Sequence, residues 1–126
     1  MKIFLVYLMV SWFGIGAWLI CDPAALETYA GVAALTVTGE TELRAMYGGM
    51  ELAIGGAVLL ALLQPKWRCH VLFLNGVVAG GIGGGRLVGV ALTGTMSVYT
   101  ASALAFELST VVICWLLARR LQRSGE

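Results

Sequence analysis

The sequence has few charged residues and no excess of positive charge. Only 12% of its 126 residues are charged, whereas 60% are hydrophobic and the mean hydropathy is +0.90. Soluble domains carry about a quarter charged residues, so this composition is typical of a membrane protein, whose first partner is the lipid bilayer. The formal net charge of +1 provides no basic face, and we therefore expect no nucleic-acid partner.

The residues that build redox and metal centres are also scarce. The cysteines occur singly, at Cys21, Cys69 and Cys114, and no C-x-x-C pair supports thiol-disulfide exchange or a metal knuckle. The single histidine, His70, cannot form a haem or zinc site alone. We therefore predict neither a metal nor a cofactor.

Four long apolar stretches divide the chain. They cover residues 3–20, 43–63, 71–92 and 98–117. Each is close to the length of about 17 to 25 residues that crosses a bilayer as a helix, and short connections around the later spans favour antiparallel neighbours. We predict a single all-α transmembrane domain over residues 1–126, built as an antiparallel bundle of four transmembrane helices.

Lysine and arginine residues indicate how this bundle is oriented. Lys2 precedes the first span, Lys66 and Arg68 lie between the second and third spans, and further arginines follow the fourth. The loops 21–42 and 93–97 contain neither residue type. Because positive residues stay on the cytoplasmic side, both termini are predicted to be cytoplasmic.

The outer loop between the first two spans is long enough to contain structure of its own. Asp22 and Pro23 form a helix-start signal, in which the aspartate side chain caps the helix and the proline occupies its first turn. Gly31 is predicted to end this short helix, which would lie in the membrane interface. The segment 36–41, rich in threonine, is predicted to form a polar return to the second span.

Ionisable and polar residues inside the predicted spans recur at helical spacing. Arg44 and Glu51 share one face of the second span, Asn75 and Arg86 share one face of the third, and Glu107 lies near the middle of the fourth. A charged side chain in hydrocarbon costs about 2.5 to 3.5 kcal/mol on insertion scales, so these groups are expected to turn inward. Arg86 can reach Glu51 or Glu107. Arg44 can extend outward or join Glu51.

Two interpretations of these charges are open. In the first, the charges pair with one another and fix which helices meet, without a ligand. In the second, they line a site for a substrate, an ion or a proton. The candidate catalytic residues are then Glu51 and Glu107, and the candidate binding residues are Arg44, Tyr47, Glu51, Asn75, Arg86 and Glu107.

The third span is rich in glycine. In the run GVVAGGIGGGR, Gly76, Gly80 and Gly84 recur at steps of four. Small residues at this spacing let helices approach closely. We expect them to pack within the chain, across a homodimer, against another membrane protein, or beside a cavity.

The segment E-L-R-A-M-Y-G-G, residues 42–49, resembles the hallmark of a bacterial family of small four-helix membrane proteins of unknown function. The similarity covers nearly the whole chain. The family also has a glycine-flanked arginine on the third span and an acidic residue on the fourth, which Arg86 and Glu107 match. The resemblance implies a fold, a topology and a bacterial cytoplasmic membrane rather than an activity, and it says least about Glu51.

Three functions are compatible with this pattern. The first is a charge-lined pocket, open towards the outer face, that binds a small molecule or ion and transports it. The second is a cofactor-free enzyme that uses Glu51 and Glu107 as an acid–base pair to isomerise, cyclise or open the epoxide of a lipophilic substrate. The third is an accessory or scaffolding subunit of a membrane complex. We favour the first, with transport ahead of catalysis.

Overall fold

The computed structural model describes residues 1–124, which are mostly helical and contain no strand. A π-helical segment, Arg44–Gly49, lies within the second long helical stretch, and a 3₁₀ turn, Pro65–Trp67, precedes the third. The α-helices are α1 (Lys2–Cys21), α2 (Ala25–Ala30), α3 (Val37–Leu43), α4 (Met50–Leu63), α5 (Arg68–Thr93) and α6 (Val98–Ser124).

Within residues 1–124, four helical stretches are long and apolar enough to cross a membrane, which confirms the predicted all-α class and its four spans by length and composition. They are Lys2–Cys21, Val37–Leu63, Pro65–Thr93 and Val98–Arg123. The second begins earlier than predicted, because α3 continues through the π segment into α4 without a break. The orientation in the membrane stays a prediction.

The described part of the chain forms two compact units, residues 1–65 and residues 66–124. In the first unit, α1 packs against α4 and the π segment. Gly48 faces Ile20, whereas Gly55, further along the chain, faces Phe13, so the two helices run antiparallel.

Gly16 marks the closest approach in this first helix pair. A Cβ atom at this position would lie 2.9 Å from the backbone nitrogen of Leu52 and 3.0 Å from the carbonyl oxygen of Gly48. Both are backbone atoms, which cannot move aside as a flexible side chain can. Only glycine lets the two helices meet at this distance.

In the second unit, α5 packs against α6. Gly76 faces Cys114 and Gly80 faces Val111, so these helices also run antiparallel. Of the three glycines predicted to allow close packing, Gly76, Gly80 and Gly84, the first two therefore pack within the chain. Gly94 ends α5 with a φ of +67°, in the left-handed region that glycine adopts readily.

The connection after α1 contains the predicted short helix, but its start differs from the prediction. Gly31, with a φ of +69°, ends α2 as expected. However, α2 begins at Ala25 without a side-chain cap. Asp22 contributes its backbone carbonyl instead, which accepts a hydrogen bond from the Ala25 N–H at 3.3 Å. The position of α2 in the membrane interface stays a prediction.

The prediction of a polar return over residues 36–41 was wrong, because α3 begins at Val37. The Thr36 side chain accepts a hydrogen bond from the Gly39 N–H at 3.0 Å and caps the helix. Threonine in an extended conformation at this position satisfies one of the unpaired donors of the first turn. The polar composition of the segment therefore reflects a helix cap.

Candidate functional site

An ion pair joins α5 and α6 in the second unit. The Arg86 Nε–H donates a hydrogen bond to Glu107 Oε1 at 2.7 Å. The antiparallel packing of the two helices brings these residues together, although 21 positions separate them in the chain. The structure thus pairs Arg86 with one of the two glutamates that its sequence position allowed.

The two partners of this pair differ in their surroundings. Glu107 is 4% exposed, whereas 27% of the Arg86 side chain is accessible. The Arg86 guanidinium carbon also lies 5.4 Å from the centre of the Tyr99 ring, at the start of α6. A cation over an aromatic face is attracted by the ring quadrupole. The contacts with Glu107 and Tyr99, both on α6, therefore hold the Arg86 side chain in position.

The second oxygen of Glu107 has a different environment. Oε2 is buried, and within residues 1–124 no group forms a hydrogen bond with it. A Cβ atom at Gly83 would lie 3.3 Å from this oxygen, so the glycine makes room for the carboxylate between the helices. Leaving such an acceptor unsatisfied costs about 1 to 3 kcal/mol, and an exception of this kind calls for an explanation.

Asn75 is not close to this pair. Its side chain is fully buried, and its Nδ2 donates a hydrogen bond to the Val71 carbonyl on the same helix at 3.0 Å. Eleven residues separate Asn75 from Arg86, which places them about 16 Å apart along α5 at 1.5 Å per residue. One small head group cannot contact both.

Arg44 belongs to the first unit and binds other partners. Its Nε–H donates to the Ile20 carbonyl at 3.0 Å, and its Nη2 lies 2.8 Å from Glu40 Oε1. The arginine satisfies one of the carbonyls that the end of α1 leaves without a helical partner. Arg44 therefore contacts Glu40 and the end of α1, and its extension towards the outer membrane surface stays a prediction.

The π segment coincides with the R-A-M-Y-G-G part of the sequence motif. The Met50 N–H donates to the Ala45 carbonyl, five residues back, which is the π-helical hydrogen-bond pattern. Such a wide turn holds an additional residue and rotates the following residues by about 100° around the helix axis. Sequence periodicity did not reveal it, although the adjacent Gly48 and Gly49 are a weak signal of irregular backbone.

The two other candidates in the first unit follow Arg44 along the chain. Tyr47 is 37% exposed, and Glu51 is partly buried, with its Oε2 inside the protein. Their roles in binding or catalysis stay predictions. Among residues 1–124 the side chains of His, Cys, Asp and Glu form no group of three or more that could hold a metal ion.

A cleft of about 490 Å³ lies in the first unit, beside the connection between α2 and α3. Its lining includes Glu27, Thr36, Glu40 and Leu43, and none of the predicted binding residues borders it. This cleft lies beside an exposed connecting segment and is not lined by the predicted binding residues. It is therefore not the charge-lined pocket that the sequence predicts. That pocket stays a prediction.

These features are those of a helical protein with helices long and apolar enough to cross a membrane, and with a partly buried arginine–glutamate pair in its second unit. The chain belongs to a family described as a domain of unknown function (DUF4345), whose profile matches residues 1–118. The match includes the π segment and both members of the ion pair. No curated protein and no solved structure in the comparisons matches the chain.

Proposed function

We propose that this protein binds a small molecule or ion within the membrane, at the Arg86–Glu107 pair. The observation that carries the proposal is the Glu107 Oε2 atom, a buried acceptor without a hydrogen-bond partner in the described chain. A ligand that completes this hydrogen bond would remove the cost of leaving the acceptor unsatisfied. An ion pair that served packing alone would be more stable with both carboxylate oxygens engaged.

The depth of Glu107 supports the same proposal. The residue follows the start of α6 at Val98 by nine positions, or about 13 Å along the helix. In a hydrocarbon core about 30 Å thick this position is near the middle, where an ionisable side chain is expensive and usually marks a functional site. Gly83 lies beside the carboxylate and has no side chain that would crowd it.

Transport of the bound molecule across a bacterial cytoplasmic membrane, from a site open to the outer face, is the extension that we favour. Catalysis by acid and base would require Glu51 in addition to Glu107. Neither extension is needed for the binding proposal itself.

A scaffolding role is the second candidate, and the open side of α5 favours it. A Cβ atom at Gly81, Gly84 or Gly85 would meet no atom of the described chain within 4 Å. A helix surface without side chains can receive a helix of a second copy or of another membrane protein. Gly76 and Gly80 already face α6, so of the predicted row only Gly84 belongs to this open surface.

Thermal unfolding in lipid nanodiscs tests the binding proposal. The probes are dodecanol, dodecylammonium and dodecyl phosphate, added at equal mole fractions, and tryptophan fluorescence reports unfolding. At least one probe is expected to stabilise the protein, by about 1.4 kcal/mol at ten times its half-saturating mole fraction. This effect should be weaker in Glu107→Gln and unchanged in Glu42→Gln, a matched change at an exposed carboxylate.

Equal responses of the three proteins to all probes would overturn the proposal, because the effect would then come from the bilayer. Arg86→Lys provides a second variant in case Glu107→Gln does not insert. It keeps the positive charge but loses the planar guanidinium that meets Glu107 and Tyr99. It should also weaken the response.

A further inference from the structure

We infer that the ligand is an uncharged, largely apolar molecule whose head group donates a hydrogen bond, such as an alcohol or a primary amide. This inference rests on the proposed function and specifies the chemistry of the same site. Three features of the ion pair and its surroundings support it.

The first feature is the charge of the site. Arg86 and Glu107 compensate each other at 2.7 Å, so the pair has no net charge. A bound ammonium group would leave a net positive charge in an apolar region, and a bound phosphate would leave a net negative charge beside the carboxylate. Both are expensive where the surroundings solvate ions poorly. An uncharged head group keeps the site neutral.

The second feature is the direction of the missing hydrogen bond. A carboxylate oxygen only accepts hydrogen bonds. Since Oε1 already accepts from Arg86, the acceptor that needs a partner is Oε2. The head group must therefore donate. Ethers and esters, which have no donor, do not meet this requirement.

The third feature is the apolar surroundings of the carboxylate. Gly83 presents only its backbone towards Glu107, and Leu104, one turn earlier on α6, is 6% exposed. A Cβ atom at Gly83 would lie 3.9 Å from Leu104 Cδ2. Neither residue has a polar side chain that could bind a second polar group on the ligand. One donor on a hydrocarbon body suits this environment.

A comparison of dodecanol with its methyl ether tests the inference. The two probes have the same alkyl chain, and only the alcohol donates a hydrogen bond. The protein is expected to prefer the alcohol about tenfold or more in half-saturating mole fraction, measured by thermal unfolding in nanodiscs. The factor corresponds to one hydrogen bond to a charged acceptor.

Glu107→Gln should remove this preference. The Arg86 Nε–H still requires an acceptor, so the glutamine oxygen takes the position of Oε1 and the amide NH₂ takes that of Oε2. The site then donates, and both the alcohol and the ether can accept. The alcohol-to-ether ratio should fall to about one in this variant and stay unchanged in Glu42→Gln.

A pair of glycine variants tests the location without changing a charge. Gly83→Ala adds a methyl group 3.3 Å from Oε2 and should lower the affinity for dodecanol several-fold. Gly84→Ala, at a position that is open in the described structure, should not. Equal dodecanol affinity in the Gly83→Ala variant and the unmodified protein would overturn the placement at Oε2.

The remaining outcomes separate this inference from the proposed function. Stronger Glu107-dependent binding of dodecylammonium or dodecyl phosphate would overturn the uncharged class while supporting a binding site. Equal affinity of the unmodified protein for alcohol and ether would overturn the requirement for a donor. If no probe distinguishes Glu107→Gln from the unmodified protein, both proposals fail.

Discussion

A double-mutant cycle on Arg86 and Glu107 separates a dedicated ion pair from two independent polar residues. The variants are Arg86→Met, Glu107→Gln and their combination. Methionine keeps the length and apolar character of the arginine stem, and glutamine keeps the shape of the carboxylate. The cycle therefore removes the charges with little change in packing.

The expected magnitudes follow from the burial of the two side chains. Arg86→Met leaves the Glu107 carboxylate, 4% exposed, without its cation. Breaking a buried pair in this way costs about 3 to 5 kcal/mol in soluble proteins. The partial exposure of the Arg86 side chain, 27%, reduces the expected cost to about 2 to 3 kcal/mol. The double variant should be more stable than the sum of the single changes predicts, by about 1 to 2 kcal/mol.

The assay is reversible unfolding in mixed micelles by titration with sodium dodecyl sulfate, followed by far-ultraviolet circular dichroism. The matched control is the same cycle on Arg44 and Glu40, whose side chains are 39% and 46% exposed. Exposed pairs of this kind couple by about 0.3 to 0.5 kcal/mol. If the two cycles gave equal coupling energies, burial would not strengthen the Arg86–Glu107 interaction, and the reasoning from burial would be wrong.

Two further predictions test the helix packing and the orientation. Gly16→Ala should destabilise the protein by about 1 to 3 kcal/mol in the same unfolding assay, because its methyl group meets the backbone of Leu52. Gly14→Ala, with no neighbour in the described chain within 4 Å, should not destabilise it, and equal losses for the two would contradict the close approach. In intact cells a membrane-impermeant maleimide should label Cys21 and not Cys69, and permeabilisation should expose both. The reverse pattern would overturn the prediction of cytoplasmic termini.

The sequence predicted the helical class and the four spans because hydrophobic length alone determines them. It misplaced the start of the second span. Polar residues such as Thr36 and Gly39 suggested a link, whereas the threonine side chain caps a helix that begins at Val37. A capping hydrogen bond needs only local geometry, but the same residues also favour turns. The composition of the segment therefore could not distinguish a polar loop from a capped helix.

The candidate site was predictable in part. Helical spacing placed Glu107 on the buried side of α6, and the structure buries it together with Thr110 and Cys114. The choice between Glu51 and Glu107 as the partner of Arg86 depends on how the helices pack, which spacing does not determine. The π segment likewise accompanies a tertiary contact, in which Gly48 faces Ile20. The prediction from sequence spacing assumes one helical period throughout, so it could not reveal the wider turn of the π segment.

A comparison of Arg44 with Arg86 shows why one ion pair suggests a ligand and the other does not. Arg44 contacts Glu40, a half-buried acid four residues earlier in the chain, and donates to a carbonyl at the end of α1. Water or lipid head groups can satisfy whatever that acid leaves unpaired. Arg86 instead holds an acid from the neighbouring helix that is almost fully buried, and within residues 1–124 the second oxygen of Glu107 has no hydrogen-bond partner. Burial of the acid, rather than the presence of an arginine in a span, therefore determines where a binding site is expected.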